Sequence, residues 1–295
     1  MKIGIVGLGY WGKIILNNLL DLGHKDVVLC DTKEVLSGLN LQKRFKYETS
    51  YERLRCDKVF VLTPVETHYE ICNYFLNQGV DVFCEKVLTA DIESASALYD
   101  LADKRGCNLF VDWIFTFNNE VNILKRMYQD GILGKIKHAC MSRQNFGPVR
   151  YDVDARYDLS SHDVSILFHI FEQPLKSMSW KNYKRDKEST KEDSALGILH
   201  FQDYSAILNA SWKHPVKDRR CFFECEKVCV EWDDATQDLS LSWIESPPSN
   251  LEEYYTTGAS PLHNSISAFL DPGRNFNYTR QKILTLDTIG ALNSW

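Results

Sequence analysis

The spacing of apolar and polar residues changes in character near residue 117. Before that point, short apolar runs without polar alternation are mostly followed by segments with the period of an amphipathic helix. Such runs predict strands that are buried on both faces of a parallel sheet. The predicted strands lie at 2–6, 26–31, 58–63, 80–85 and 108–113. Repeated alternation of strand and helix indicates a doubly wound α/β domain, which we place at 1–117.

After residue 117 the segments become longer and have the pattern of strands in an antiparallel sheet. We predict a helix at about 119–130, followed by a glycine turn at 131–134. A strand-rich region follows at 174–244, and two further helices at about 260–270 and 279–293. We therefore expect 118–295 to form an α+β domain with a large, mostly antiparallel open sheet. Its C-terminal helices are expected to pack back toward the first domain.

Several predicted strands of the second domain are apolar on both faces. In the segment 194–202, Ala195 and Leu199 point to one side, while Leu196 and Ile198 point to the other. An antiparallel sheet of a monomer usually leaves one face in water. The second apolar face is therefore expected to be covered by another subunit, with a covering loop as the alternative.

Composition and charge restrict the function classes. The 44% hydrophobic and 25% charged residues are ordinary for a globular protein, and the net charge of -6 is spread without a basic patch. Nucleic acid and membrane surfaces are therefore not expected partners. The N-terminus lacks the pattern of a signal peptide, and no apolar run reaches the roughly 20 residues of a membrane helix.

The nine cysteines are scattered and odd in number, which favours reduced thiols in a cytoplasmic protein. Cys221, Cys225 and Cys229 are evenly spaced, so a metal site is an alternative. However, they lie on two predicted strands around a turn, where this spacing only places the thiols on one face. The chain has no Cys-x-x-Cys pair. We therefore expect no metal site.

A glycine motif follows the first predicted strand. Gly7, Gly9 and Gly12 form a Gly-x-Gly-x-x-Gly pattern between a strand and a helix. In this context the first glycine makes the turn, the second admits a pyrophosphate, and the third packs the helix against the strand. The pattern predicts a dinucleotide site, to which Tyr10 and Trp11 also belong.

Two further features support this prediction. Asp31 ends the second predicted strand, where an acid binds the ribose hydroxyls and repels a 2′-phosphate. It favours NAD over NADP, although Lys33 softens the repulsion. Glu85 and Lys86 end the fourth predicted strand, and ligands of such sheets bind at the carboxyl ends of strands. A surface ion pair between the two is an equally good interpretation of their spacing.

Five motifs in order then carry a resemblance that covers nearly the whole chain. They are GLGYWG, TPVETHYEI at 63–71, CEKVLT at 84–89, VDWIFTFN, and DLSSHD. Together they resemble the Gfo/Idh/MocA oxidoreductases. The resemblance implies a Rossmann domain, then an α+β domain that binds substrate and whose open sheet mediates oligomerisation, as a dimer or tetramer. It also implies that Thr63, Pro64, His68, Glu85 and Lys86 contribute to the cofactor site.

The segment 143–167 is similar to the branch of this family that acts on nucleotide-linked sugars. The residues that match its motifs are Arg143, Asn145, Gly147, Arg150, Asp158, His162 and Asp163. The resemblance implies that Arg143, Asn145, Arg150 and Asp163 bind the substrate. It also implies that Lys86, Asp158 and His162 are catalytic.

Three departures from the family pattern are present. Tyr157 replaces a tryptophan, Ser161 replaces a proline, and Val87 replaces the proline of a Glu-Lys-Pro motif. The last change removes a proline that would fix the backbone beside Lys86.

The predicted role of His162 is to accept the hydroxyl proton, since an unperturbed imidazole titrates at about pH 6.5. The alternative is that Asp158 and Ser160 cap a helix and His162 is structural. The function implied is an NAD(P)-dependent oxidoreductase acting on a secondary alcohol of a sugar, especially a nucleotide-linked one. A cyclitol or free-sugar dehydrogenase and a non-catalytic dinucleotide-binding regulator are the alternatives.

Overall fold

The computed structural model describes residues 1–38, 45–147, 150, 152–184, 190–271 and 277–293. The chain divides into two compact units. The first comprises Met1–Asp112 and Leu262–Leu286, and the second comprises Trp113–Pro261 and Asp287–Trp295. The first unit therefore includes most of the two helices that close the chain.

The first unit is built on a parallel sheet of six strands. These are β1 (Ile3–Val6), β2 (Val27–Cys30), β3 (Lys46–Glu48), β4 (Lys58–Val61), β5 (Asp81–Cys84) and β6 (Leu109–Val111). Their order is β3-β2-β1-β4-β5-β6, with every described pair parallel. The order reverses between β1 and β4, which is where ligands bind in doubly wound folds. The predicted fold of this domain is confirmed.

Helices cover this sheet. They are α1 (Tyr10–Asp21), α2 (Lys33–Gly38), α3 (Val65–Asn77), α4 (Ile92–Arg105), α7 (Pro261–Leu270) and α8 (Tyr278–Leu292). Helix α4 has the boundaries that its sequence predicts: the Ser94 amide donates to Asp91 Oδ1 at 2.7 Å, and Gly106 ends the helix in the left-handed conformation.

The two C-terminal helices complete the core and one edge of the first unit. Phe269 of α7 packs its ring against Phe60 and Phe83, with centroids 5.2 and 5.5 Å apart. Gln281 of α8 bonds to Val111 of the edge strand β6: its Nε2 donates to the carbonyl oxygen and its Oε1 accepts from the amide. The side chain of Gln281 therefore satisfies backbone groups that an edge strand otherwise leaves unpaired.

The second unit contains an eight-stranded sheet. Its strands are β7 (Ile136–Phe146), β8 (Leu175–Tyr183), β9 (Ser194–Phe201), β10 (Ser205–Ser211), β11 (Lys213–Asp218), β12 (Arg220–Cys225), β13 (Val228–Asp233) and β14 (Asp238–Trp243). The order is β14-β13-β12-β7-β10-β9-β8, with β11 paired to β7. Only β7 and β10 are parallel among the described pairs, so the predicted mostly antiparallel sheet is confirmed.

Two helices belong to the second unit, α5 (Asn119–Gln129) and α6 (Ser161–Phe171). Asn118 begins α5, because its Oδ1 accepts from the Val121 amide at 3.0 Å. A π-helical turn at Arg156–Ser160 leads into α6. Phe171 of α6 packs edge-on against Phe223 of β12, which places α6 on the inner face of the sheet.

The opposite face of this sheet carries an apolar row. Ile198 is paired with Ile207, Ile207 with Cys140, and Cys140 with Phe222, so the four side chains cross β9, β10, β7 and β12 at one level. Ile198, Ile207 and Cys140 are exposed, while their sequence neighbours are mostly buried on the inner face. We call these four residues the outer row.

Some elements were not predicted from the sequence. Helix α2 and strand β3 are short, and β11 contains Pro215, which cannot donate to a strand ladder. β11 pairs with β7 through an irregular register. None of the helices in the described part of the chain combines the length and apolar character needed to cross a bilayer.

Candidate functional site

The glycine turn of the first unit has the shape that a pyrophosphate requires. Gly7 has a φ of +97°, and a Cβ there would lie 2.7 Å from the carbonyl oxygen of Leu62. A Cβ at Gly12 would overlap the Gly7 carbonyl, so this glycine lets α1 approach the turn closely. A Cβ at Gly9, by contrast, would meet nothing within 4 Å. The turn is thus open on the side of Gly9, where a phosphate can reach the backbone.

The beginning of α1 supports the same interpretation. Gly9 precedes the helix and offers no side chain to cap it, so the first amides of α1 lack a side-chain acceptor at that position. Such amides and the helix dipole favour an anion. Tyr10 and Trp11 follow directly, and the structure leaves Tyr10 77% exposed. These residues therefore fit the pyrophosphate of a dinucleotide.

Asp31 joins the end of β2 to the glycine turn. Its Oδ2 accepts from the Leu8 amide at 2.5 Å, and its Oδ1 accepts from the Thr32 amide at 2.6 Å. An ionised carboxylate has about four acceptor sites, so both oxygens can still accept from ribose hydroxyls. The ribose contact stays a prediction, and Asp31 also fixes the turn.

His68 is 1% exposed and links two loops that contain predicted cofactor residues. Its Nδ1 lies 2.9 Å from the carbonyl oxygen of Val87, and its Nε2 lies 2.8 Å from that of Thr63. The neutral ring donates to one of these oxygens, and the protonated ring donates to both. The imidazole therefore holds the loop after β4 against the loop after β5. Its predicted cofactor contact stays a prediction.

Glu85 and Lys86 follow β5 and are half-exposed. Glu85 Oε2 accepts from the Lys86 amide at 2.5 Å, which ties the carboxylate to the local backbone. The peptide bond between Lys86 and Val87 is cis, at the position where the family motif has proline.

Asp112, which the sequence did not single out, lies at the end of the neighbouring strand β6. Its amide donates to the carbonyl oxygen of Cys84 at 2.9 Å, and its Oδ1 accepts from Ser265 Oγ at 2.5 Å. Burial, and then repulsion from Glu85, raise the pKa of Asp112 to about 8. The carboxyl end of the sheet therefore holds a carboxyl group that is largely protonated at neutral pH.

In the second unit, Asp158 lies in the π-helical turn before α6 and is held by two donors. Trp212 Nε1 donates to its Oδ2 at 3.1 Å, and Arg150 Nη1 donates to its Oδ1 at 3.4 Å. Arg150 also forms a two-point ion pair with Asp152. The carboxylate of Asp158 is thereby oriented from both sides.

The helix-capping alternative for Asp158 and Ser160 is wrong. The Tyr157 amide donates to Asp154 Oδ1 at 2.9 Å, and the side chain of Ser160 makes no capping bond to α6. The π-helical turn begins at Arg156, so Asp158 lies inside it rather than before it.

His162 lies in the first turn of α6 and packs against Phe115. The two rings meet edge-on, with centroids 5.0 Å apart and an angle of 81°. The same phenyl ring has the guanidinium carbon of Arg143 4.6 Å from its centroid and contacts Trp232. Phe115 is therefore the common support of His162 and Arg143, a role that no spacing rule indicated.

Arg143 and Asp163 are each 1% exposed. Arg143 Nε donates to Asp163 Oδ1 at 2.8 Å, and its Nη1 donates to Asp234 at 3.3 Å. Burial raises the pKa of Asp163 despite the attraction of Arg143, which lowers it. This placement favours support of α6 beside His162 over direct contact with a ligand. The predicted substrate contacts of both residues remain predictions.

Asn145, also predicted to bind substrate, is half-buried and accepts from Arg219 Nη2 at 2.5 Å. Cys221 and Cys225 are buried, and burial raises the pKa of both thiols. Within the described ranges, no three histidine, cysteine or acidic side chains are grouped so as to hold a metal ion.

The doubly wound sheet, the open glycine turn and the acid at the end of β2 define a dinucleotide-binding protein of the Rossmann class. Two family models match the chain: "Oxidoreductase family, NAD-binding Rossmann fold" over residues 1–113, and "GFO/IDH/MocA C-terminal domain" over residues 121–231. The chain belongs to the Gfo/Idh/MocA oxidoreductase family, and its first domain is an NAD-binding Rossmann domain.

Two curated relatives illustrate the range of substrates. A scyllo-inositol 2-dehydrogenase (NADP(+)) of Bacillus subtilis is 27% identical over 191 residues, which cover 59% of this chain and 52% of the relative. A UDP-N-acetylglucosamine 3-dehydrogenase of Acidithiobacillus ferrooxidans is 25% identical over 169 residues, 56% of this chain and 53% of the relative. The chain thus spans about half the length of these relatives.

Solved structures match almost the whole chain. An oxidoreductase from Magnetospirillum magnetotacticum has a TM-score of 0.84 at 24% identity and covers 99% of this chain and 98% of its own. The WlbA dehydrogenase from Bordetella pertussis, solved with NADH and UDP-GlcNAcA, has a TM-score of 0.80 at 17% identity, with coverage of 98% and 92%. At these identities the matches establish the fold.

Proposed function

We propose that this protein is an NAD(P)-dependent oxidoreductase that transfers hydride between nicotinamide and a secondary alcohol or ketone of a nucleotide-linked sugar, as a 3-dehydrogenase or 3-ketoreductase. One observation carries the proposal beyond family membership. His162 and Asp158 lie one turn apart, and each is held by residues from other elements: Phe115 supports the imidazole, and Trp212 orients the carboxylate. Such fixed orientation serves proton transfer.

The dinucleotide supplies hydride transfer when it is bound. In the oxidation direction His162 accepts the hydroxyl proton, and Lys86 stabilises the negative charge that develops on the oxygen. Asp158 orients one of these groups. These assignments follow the family motif residue by residue. The fixed carboxylate of Asp158 and the half-exposed Lys86 at the end of β5 support them.

NAD is the proposed cofactor, because Asp31 places a carboxylate at the end of β2 beside the glycine turn. NADP is the alternative cofactor, because the name of one relative includes NADP(+). Inositol dehydrogenases among the relatives likewise keep a cyclitol as the second candidate substrate.

Homo-oligomerisation through the outer row, as a dimer or tetramer, is also proposed. Exposed isoleucines on a sheet face are costly in water and gain free energy when a second copy covers them.

The test combines His162→Asn with a panel of UDP- and dTDP-sugars, free sugars and myo-inositol, measuring formation of NADH. Asparagine preserves size and one hydrogen bond, so the change isolates proton transfer. Turnover should fall about 10²–10⁴-fold while NAD affinity is unchanged. Lys86→Met should also reduce turnover, and Asp158→Asn should do so less.

His24→Asn, in the turn between α1 and β2, is the matched control and should keep native turnover. Near-native turnover and pH dependence in His162→Asn would assign the histidine a structural role only. NAD binding without NADH formation from any member of the panel would favour the regulator.

A further inference from the structure

Arg219 is a further arginine near the predicted substrate residue Asn145, and no sequence motif singles it out. It lies between β11 and β12, and its carbonyl oxygen accepts from the Asp234 amide at 3.0 Å, which fixes its backbone. Its side chain is half-buried, and among the described residues it forms one hydrogen bond, from Nη2 to Asn145 Oδ1. It forms no ion pair with any residue that the structure describes.

Two donor groups of this pair lack acceptors within the described residues. Arg219 Nε is buried and has no hydrogen-bond partner. Asn145 must turn its Oδ1 toward the guanidinium, because a guanidinium has donors only. Its Nδ2 then lies against Gly147, where a Cβ would overlap it, and has no acceptor there.

The charge of Arg219 is less well compensated than that of Arg143. Arg143 is ion-paired with Asp163 and Asp234, which more than offset its burial, and its pKa is raised. Burial, and then repulsion from Arg143, lower the pKa of the Arg219 guanidinium, although Asp163, Asp234 and Asp158 act in the opposite direction. A partly buried cation without a direct counter-charge is costly in the free protein. An incoming anion would remove that cost.

The chemistry of the donors defines the anion. A guanidinium presents planar N–H groups that match the two oxygens of a carboxylate or phosphoryl group. The Asn145 amide adds a neutral donor beside it. A neutral polyol would satisfy the donors but would not compensate the charge.

We propose that Arg219 and Asn145 form a subsite for a charged oxyanion of the substrate, either a carboxylate or a phosphoryl group. This inference rests on the proposed function and assigns the group that binds the charged part of the substrate. The substrate is an anionic sugar, such as a nucleotide-linked, phosphorylated or uronic one, and not the neutral cyclitol of the second candidate. Arg219 is the residue that distinguishes the two classes.

Isothermal titration calorimetry of the NAD-loaded protein tests the subsite without requiring turnover. The probes are UDP-N-acetylglucosamine, glucose 6-phosphate, glucuronate and myo-inositol, so that diphosphate, phosphate, carboxylate and neutral groups are separate arms. In Arg219→Gln, the Kd of the anionic probe that binds best should rise about 10- to 100-fold, as expected for lost hydrogen bonds to a charged group. Arg219→Lys should restore part of the affinity.

Arg220→Gln is the matched control, because this neighbouring arginine is exposed and pairs with Asp218. It should leave every Kd unchanged, and NAD affinity and thermal unfolding should be native in both glutamine variants. If Arg219→Gln does not fold, the Kd values of the same probes are measured for Arg219→Lys and Asn145→Ser. Both variants should bind the anionic probes more weakly than the native protein does.

Three outcomes overturn the subsite: no anionic probe binds the native protein, Arg219→Gln binds the anionic probes as well as the native protein does, or it loses anionic and neutral probes equally. Failure of the proposed function is a separate result. The proposed function fails if no NADH is formed from any substrate. In that case the Kd of the anionic probes can still depend on Arg219, and the subsite stands.

Discussion

At the scale of single residues, Asp31 combines a predicted role in cofactor binding with a structural role. Asp31 is placed by sequence as the ribose-binding acid, and in the structure its carboxylate also accepts from the Leu8 and Thr32 amides. We therefore expect a substitution at Asp31 to change both the choice of cofactor and the shape of the glycine turn. The two effects can be told apart by measurement, because only the change in cofactor choice alters the affinity for NAD relative to NADP.

Asp31→Ser should reduce discrimination against NADP, because it removes the charge that repels a 2′-phosphate. We expect the ratio of the Kd for NADPH to the Kd for NADH to fall about tenfold, as about 1.4 kcal/mol of repulsion is lost. Affinity for NADH should also weaken, because the hydrogen bond from the Leu8 amide is weakened or lost. Fluorescence titration with both reduced cofactors measures the ratio. Native protein that already prefers NADPH would contradict the role of Asp31.

Asp112 predicts a pH dependence of stability. Its pKa is raised from 3.8 to about 8 in the folded protein, first by burial and then by Glu85. The folded state thus binds more protons than the unfolded state between these values, so stability falls as the pH rises through this window. The loss is about 1.4 kcal/mol for each pH unit within the window, because the unfolded carboxyl group is ionised there while the folded one is not.

Asp112→Asn is neutral and keeps an acceptor for Ser265. The free energy of unfolding of this variant should exceed that of the native protein by a margin that grows from about pH 4 to about pH 8 and is constant above. Urea unfolding at a series of pH values measures the margin. A margin independent of pH would show that Asp112 is not protonated in the folded state.

At the scale of elements, local sequence patterns predicted most strands and helices. They did not predict the hydrogen-bond partners of the site residues, which are brought together by strand pairing across the sheet. The glycine turn and the ends of α4 are properties of neighbouring residues, and both were predictable. Trp212 and Asp158 are 54 residues apart, and Arg219 and Asn145 are 74 apart. Such contacts depend on the register of β7, β10 and β12, which no short motif encodes.

A 3₁₀ turn at Ile114–Phe117, directly before α5, also makes contacts with residues distant in sequence. Phe115 lies in this turn and contacts both His162 and Arg143. Phe115→Leu keeps an apolar side chain but removes the aromatic contacts, which are each worth about 0.5–1.5 kcal/mol. We expect kcat to fall about 2- to 10-fold, with the KM for NAD unchanged. Phe146→Leu, at an exposed position of β7, is the control and should be neutral. An equal decrease in kcat for the two variants would show that Phe115 does not support His162.

At the scale of the whole molecule, the outer row is the surface that we propose a second copy of the chain covers. Ile198 and Ile207 are 39% and 37% exposed at paired positions, next to Cys140 and Phe222. A stable interface covers about 800 Å² on each partner, more than the row alone, so the surrounding polar positions of the sheet would form its rim. A closed dimer would place the row of one copy against that of the other.

Ile207→Glu should therefore separate the copies. In a two-fold interface it buries two uncompensated carboxylates, while in a monomer each stays in water and the fold of the unit is unaffected. Analytical ultracentrifugation should show a dimer or tetramer for the native protein and a monomer for the variant, with thermal unfolding monitored in parallel. Val216→Glu is the matched control, because Val216 is an exposed apolar residue of β11 outside the outer row. A native protein that sediments as a monomer at all concentrations, or an assembly that Val216→Glu disrupts as strongly as Ile207→Glu, would show that the outer row is not the subunit interface.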